Sequence, residues 1–171
     1  MNIPSNEYAP FYAGYVSQVN NQDILEVLRL QSQELEQLFS SLSEEQGLFA
    51  YADGKWTLKE LLGHLNDAER VFSYRLFRIG RGDQTPLPGF EQDDYIETAL
   101  SNQRTIQSLI EEFKGIRAAT LSLIDSLSDE DLLRKGTASN TPVSVRALMA
   151  ITAGHVKHHL VIIKERYLPN L

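Results

Sequence analysis

Residues 154–167 read GHVKHHLVIIKERY, and the periodicity of this stretch decides the fold. It holds His155, His158 and His159, three of the four histidines of the chain; the fourth, His64, lies far upstream in ELLGHLNDAER. On a helix, residues i and i+4 project from one face, so His155 and His159 point at the same spot. Leu148, Ile151, Thr152, Ile162 and Ile163 share that face and make it otherwise apolar. Two imidazoles side by side on a buried face need a physical reason. A divalent metal supplies one, with His64 arriving from another helix as third ligand.

Working outward, Ser144 is placed to cap this helix, which runs to Tyr167 and ends before Pro169. The clearest helix start lies upstream, where Thr57 and Glu60 form a T-x-x-E capping box flanked by Trp56 and Leu61. From there Leu61, His64, Leu65, Ala68, Val71, Phe72, Leu76 and Ile79 fall on one face, and Gly80 is placed to end the helix. An earlier helix is predicted over residues 23–42 from the stripe Ile24, Leu28, Leu35, Leu38 and Leu42. Gln31 interrupts that stripe and is placed to face a polar cavity. A third long helix is predicted over residues 93–127, bent or weakened at Gly115. Residues 135–142 read as loop, and no alternating β-branched run is long enough for a sheet. Residues 1–20, rich in aromatics and broken by Pro4, Pro10 and Gly14, read as an irregular arm. Either the arm packs over the bundle or a neighbouring subunit, or it is a partly ordered terminus.

The expectation is an all-α four-helix bundle forming one domain over residues 1–171. Residues 80–90, GRGDQTPLPGF, make a long loop that suits a crossover between helices two and three, giving an up-down-down-up order. That order also suits the histidines. His64 lies about 10 Å from its helix start, and His155 and His159 about 16 and 22 Å from theirs. Antiparallel helices bring them level; parallel ones leave His64 one to two turns short.

Composition narrows the chemistry. A chain of 171 residues buries a full core without a metal staple, so a metal here is functional rather than structural. There is no cysteine, which removes thiolate sites, disulfides and Cys nucleophiles and suits a reducing compartment. A net charge of −7 with no basic cluster disfavours nucleic acid. No segment has the apolar length of a membrane span or the pattern of a signal peptide, so a cytoplasmic protein is expected.

Three neutral imidazoles leave a fourth coordination position open, the arrangement of a catalytic site. Asp67, one turn after His64, is either a carboxylate supporting a ligand ring or an exposed partner in a salt bridge. His158 sits beside the stripe as a neighbour of the site or a solvent-facing residue. The plain alternative is three core histidines satisfied by ordinary hydrogen bonds. The chain has no H-E-x-x-H, no phosphate-cradling glycine loop and no nucleophile elbow.

Two blocks, GKWTLKELLGHLNDAERVFSYRLFRIGRGDQTPLPGFEQDDY and AGHVKHHLVIIKERYL, resemble the DinB-like superfamily of small helical metalloenzymes, and the similarity extends over residues 24–168. The resemblance implies a four-helix bundle with a crossover between helices two and three. It implies metal ligation by His64, His155 and His159, with zinc or nickel as the ion, and a homodimer. Where some relatives carry an acidic residue just after the first histidine of the pair, this chain has Val156. The activities it implies are a thiol S-transferase using a low-molecular-weight thiol, or a hydrolase, acting on a small electrophilic substrate. A non-enzymatic metal or small-ligand binding module in stress response is the alternative. Neither DNA binding nor membrane association is implied.

Overall fold

The computed structural model describes residues 2–171. Four long helices carry the core: α2 (Ile24–Ser40), α3 (Leu58–Gly80), α5 (Ile106–Asp125) and α7 (Val145–Ile162). Three shorter helices, α1 (Ala13–Val19), α4 (Gln92–Ala99) and α6 (Asp129–Leu132), and a hairpin of β1 (Lys135–Ala138) and β2 (Thr141–Ser144) accompany them, with short 3-10 turns between and a π-helical turn, Ile163–Tyr167, continuing α7. The helix starts are where side chains satisfy the orphan amides. Asp23 accepts from the amides of Leu25 and Glu26. Thr57 and Glu60 close the reciprocal box, Thr105 accepts from Ser108 N–H, and Ser144 accepts from Ala147 N–H. Each such cap contributes about 1 kcal/mol.

The long helices pack as a bundle in which α3 lies against α5 and α7, and α2 against the same two. Along α3 and α5 the paired residues rise together: Glu60 with Asn102 just before α5, Asn66 with Leu109, Glu69 with Arg117. Along α3 and α7 they run in opposite senses, from Trp56 with Tyr167 to Phe72 with His155. The α2–α5 pairs, Glu36 with Lys114 and Arg29 with Asp125, also run oppositely.

Two apolar clusters fill the bundle. One holds Leu28, Phe72, Leu76 and Ile151; the other holds Leu35, Leu61, Phe113 and Leu160. A buried polar layer divides them at the same height on every long helix: Gln31, Asn66, Glu69, Arg117 and His155. Arg117 makes a two-pronged pair with Glu69, both bonds 2.7 Å, and donates to the carbonyl of Leu28 and to Gln31. Gln31 in turn donates to the carbonyl of Ala153 at 2.7 Å. Gln31, expected to face a polar cavity, is packed into this buried layer, accepting from Arg117 and donating to Ala153.

Four sequence expectations are corrected. The helix expected over residues 93–127 is two, because Leu100 turns left-handed (φ 51°) and Thr105 starts a new helix. The turn Ser101–Gln103 between them wedges against α3: a Cβ on Gly63 would lie 2.2 Å from Ser101 Oγ. Residues 135–142 are not all loop. Thr141 pairs with Ala138 across a two-residue turn in which Ser139 and Asn140 take φ of 51° and 62°. Such a turn normally shows itself through glycine, and Ser-Asn hides it. Gly80 ends α3 without leaving the helix, and Gly82 takes the left-handed position (φ 83°). Gly115 does not interrupt α5.

The N-terminal segment is ordered, which corrects the irregular arm. Helix α1 packs on α7, with Val16 and Val19 fully inside. The contact is close because α7 has Gly154 there: a Cβ would sit 2.1 Å from the carbonyl oxygen of Tyr15. Glu7 anchors the preceding turn by accepting from Arg146 and from Ser144 Oγ. No helix among the described residues is long and apolar enough to cross a membrane.

Candidate metal centre

Helix α3 brings His64 and helix α7 brings His155 and His159 to one point. Their Nε2 atoms are 2.9 Å apart between His64 and His155, and 3.1 Å between His155 and His159. One ligand nitrogen from each of the three lies within 4.8 Å of the other two. All three residues are buried, at 3, 4 and 8 % exposure. Burial pulls the His64 ring down to about 4 and that of His159 to about 3. His155, the deepest, is held well below its ordinary value, first by burial and then by the neighbouring His159, His64 and His158. Neutral imidazoles with converging lone pairs are the result.

That arrangement is poorly satisfied by hydrogen bonds alone. A neutral imidazole nitrogen either donates one proton or offers one lone pair, yet His155 Nε2 faces two other ring nitrogens. His159 Nδ1 is buried with no protein partner. A tetrahedral cation bound at about 2.0–2.1 Å holds its nitrogens about 3.3 Å apart, within a few tenths of an ångström of the two separations that His155 makes. The donor set, three nitrogens without thiolate or carboxylate, fits zinc, nickel, copper or iron.

Aromatic rings hold the imidazoles in place. Tyr15 from α1 stands edge-on to His155 at 5.3 Å between ring centres, and Phe72 does so at 5.5 Å. Trp56 lies 4.8 Å from His64, and its carbonyl accepts from Tyr167 at 2.7 Å. Burial pushes the Tyr167 hydroxyl up to about 12, so it remains a donor. His158 is half-buried between Tyr15 and the His159 ring and stands outside the group of three. Asp67 is partly exposed and faces Arg70 at 3.7 Å, so the ion-pair reading describes it and the ring-supporting one does not.

Two clefts meet the site. One, of about 470 Å³, is bounded by Tyr12, Tyr15, Phe72 and Phe90, with His64 and His155 in its wall. The other, of about 320 Å³, reaches His159 past Trp56 and Tyr167. Sequence reasoning missed Tyr12, Tyr15 and Trp56 as site neighbours. One signal pointed to Tyr15: a glycine directly before His155, where another segment can approach.

The model of the DinB superfamily matches residues 28–163. The chain belongs to the DinB superfamily. Relatives of this DinB chain carry names that make them candidate metal-dependent hydrolases. OB0413 of Oceanobacillus iheyensis is 28 % identical over 127 residues, 73 % of this chain and 72 % of the relative. GK0616 of Geobacillus kaustophilus is 27 % identical over 143 residues, 81 % of this chain and 79 % of the relative. YfiT of Bacillus subtilis is 21 % identical over 168 residues, 96 % and 93 % of the two chains. The solved structure of YfiT, described as a four-helix bundle of unusual topology, superposes with a TM-score of 0.77 at 17 % identity. It covers 95 % of this DinB chain and 90 % of YfiT, and at that identity it speaks for the fold alone.

Proposed function

We propose that this DinB-superfamily chain is a metal-dependent hydrolase of small electrophilic substrates, with His64, His155 and His159 as ligands of one divalent cation, zinc or nickel. The observation that carries the reading is the convergence of three neutral, buried Nε2 atoms at the wall of an open cleft. The names of the relatives support the hydrolytic class. The opposed senses of the α3–α7 pairs and the shared sense of the α3–α5 pairs support an up-down-down-up order with a crossover between α3 and α5. A cation held there supplies Lewis acidity, which lowers the pKa of a water or a thiol at the cleft.

The chain's own residues do the rest. The three imidazoles stay neutral because burial disfavours their charged forms, so each presents a lone pair at neutral pH. Tyr15, Phe72 and Trp56 fix the ring planes and keep bulk water from their backs. The cleft, within the usual 300–1,000 Å³ of small-molecule sites, admits a substrate of modest size.

Metal analysis of the purified protein tests the reading, followed by His159→Ala. Near-stoichiometric metal is expected in the parent and its loss in the variant; metal retained by the variant overturns the ligand assignment. Turnover of a model ester is then compared with conjugation of a model electrophile by cysteine, glutathione or bacillithiol. Conjugation without hydrolysis replaces the hydrolase by a thiol S-transferase at the same site.

A further inference from the structure

Two arginines of the bundle are almost fully buried, Arg75 at 2 % and Arg117 at 1 % exposure. Arg117 is neutralised by Glu69. Arg75 has no carboxylate partner among the described residues. Its Nη2 donates to the Pro88 carbonyl at 2.7 Å and to Ser139 Oγ at 2.9 Å, and its Nη1 approaches the Tyr12 hydroxyl at 3.5 Å. The Phe90 ring covers it at 5.8 Å. A buried cation held only by neutral groups is costly unless an anion joins it.

Tyr12, Phe90 and Ser139 all line the same 470 Å³ cleft that holds His64 and His155. Since Ser139 Oγ accepts from Arg75, its own proton is directed elsewhere, and the same holds for Tyr12. Neither proton has a protein acceptor among the described residues. The β1–β2 turn, which gives Ser139 its left-handed conformation (φ 51°), is what carries this hydroxyl to the cleft. Arg75 follows His64 by eleven residues, three helical turns, and so stands on the same face about 16 Å further along α3. Long helical side chains lean towards the N-terminus, which brings the guanidinium back towards the histidines.

We infer that Arg75, through the Ser139 and Tyr12 hydroxyls, forms a receptor for a substrate carboxylate at the end of the cleft away from the histidines. This deepens the proposed function, because it takes the histidine end as the reacting end. The substrate is then an elongated monoanion. A doubly charged phosphate suits the cleft less well, since the cleft is also lined by the exposed carboxylates of Glu91 and Asp93 and the chain carries a net charge of −7.

The test is calorimetric titration of the full chain with hexanoate and with hexanamide, as purified and after dialysis against EDTA, with metal content measured on the same samples. A preference for hexanoate of about tenfold or more is expected in both states, from charge-assisted hydrogen bonds. It should collapse in Ser139→Ala/Tyr12→Phe, and in Arg75→Gln where circular dichroism shows that variant folded. Equal binding of the two probes, or binding of neither, overturns the inference. So does a preference that survives the double variant or vanishes with EDTA, which would place the carboxylate on the metal. A protein that takes up no metal but keeps the preference overturns the ligand assignment and leaves the carboxylate receptor standing.

Discussion

Replacing Gly154 by alanine tests how the N-terminal segment is tied to the metal centre. Alanine is the better helix former, and in an open helix the change would stabilise α7 by about 1 kcal/mol. Here the added Cβ would lie 2.1 Å from the Tyr15 carbonyl oxygen and 2.5 Å from its carbonyl carbon. Those are backbone atoms and cannot rotate aside, so α1 has to retreat by about 1 Å to restore ordinary contact. Overpacking of this kind costs about 1–3 kcal/mol, and against rigid backbone the upper end applies. Setting the propensity gain against it leaves a net loss of about 2 kcal/mol, or about 4–8 °C in Tm for a chain of this length. Urea and thermal melts of the parent and Gly154→Ala measure the loss. Hydrogen exchange localises it, with amides of α1 exchanging faster while those of α5 do not change. A variant as stable as the parent, with α1 equally protected, would refute the close approach of α1 to α7. The Tyr15 wall of the cleft would fall with it.

Other outcomes follow from the polar layer and the terminal anchor. Glu69→Gln, which leaves Arg117 buried and unpaired, is expected to cost about 3–5 kcal/mol in urea denaturation, whereas Glu69→Leu with Arg117→Met should come within about 1–2 kcal/mol of the parent. The hydrogen bond from Arg146, with help from Ser144, holds the Glu7 carboxyl below its ordinary value of 4.5. Its contribution is therefore complete above pH 4.5 and is lost as pH falls through the lowered folded value. Protection of α1 amides should decline over that acid range in the parent and show a weaker dependence in Glu7→Gln. Tyr167→Phe removes the 2.7 Å bond to the Trp56 carbonyl and is expected to cost about 1 kcal/mol, with a changed Trp56 emission maximum as the local readout.

Much of the fold was legible because it rests on local rules. The Thr57–Glu60 box, the Ser144 cap and the three-four spacing of apolar residues are written within one or two helical turns, and the observed helices start there. The His155–His159 pair and the core position of His64 were legible for the same reason. The break at Leu100 was not, since the apolar period continues through it and the Gly63–Ser101 contact that favours the turn joins residues 38 apart in sequence. The Ser139–Asn140 turn was hidden because its residues lack glycine and its strands are four residues long.

By itself, then, the sequence determined which segments are helices, which face of each is apolar, and that three imidazoles lie on such faces, because these follow from backbone geometry and nearest neighbours. Tertiary packing decided that α3 and α7 stand in the register that puts the Nε2 atoms of His64 and His155 2.9 Å apart. It also decided that α1 closes over them at Gly154, and that Arg75 is left buried beside the cleft without a carboxylate. Those outcomes depend on which surfaces exclude water together; the glycine before His155 marks room for a neighbour but does not say which segment fills it.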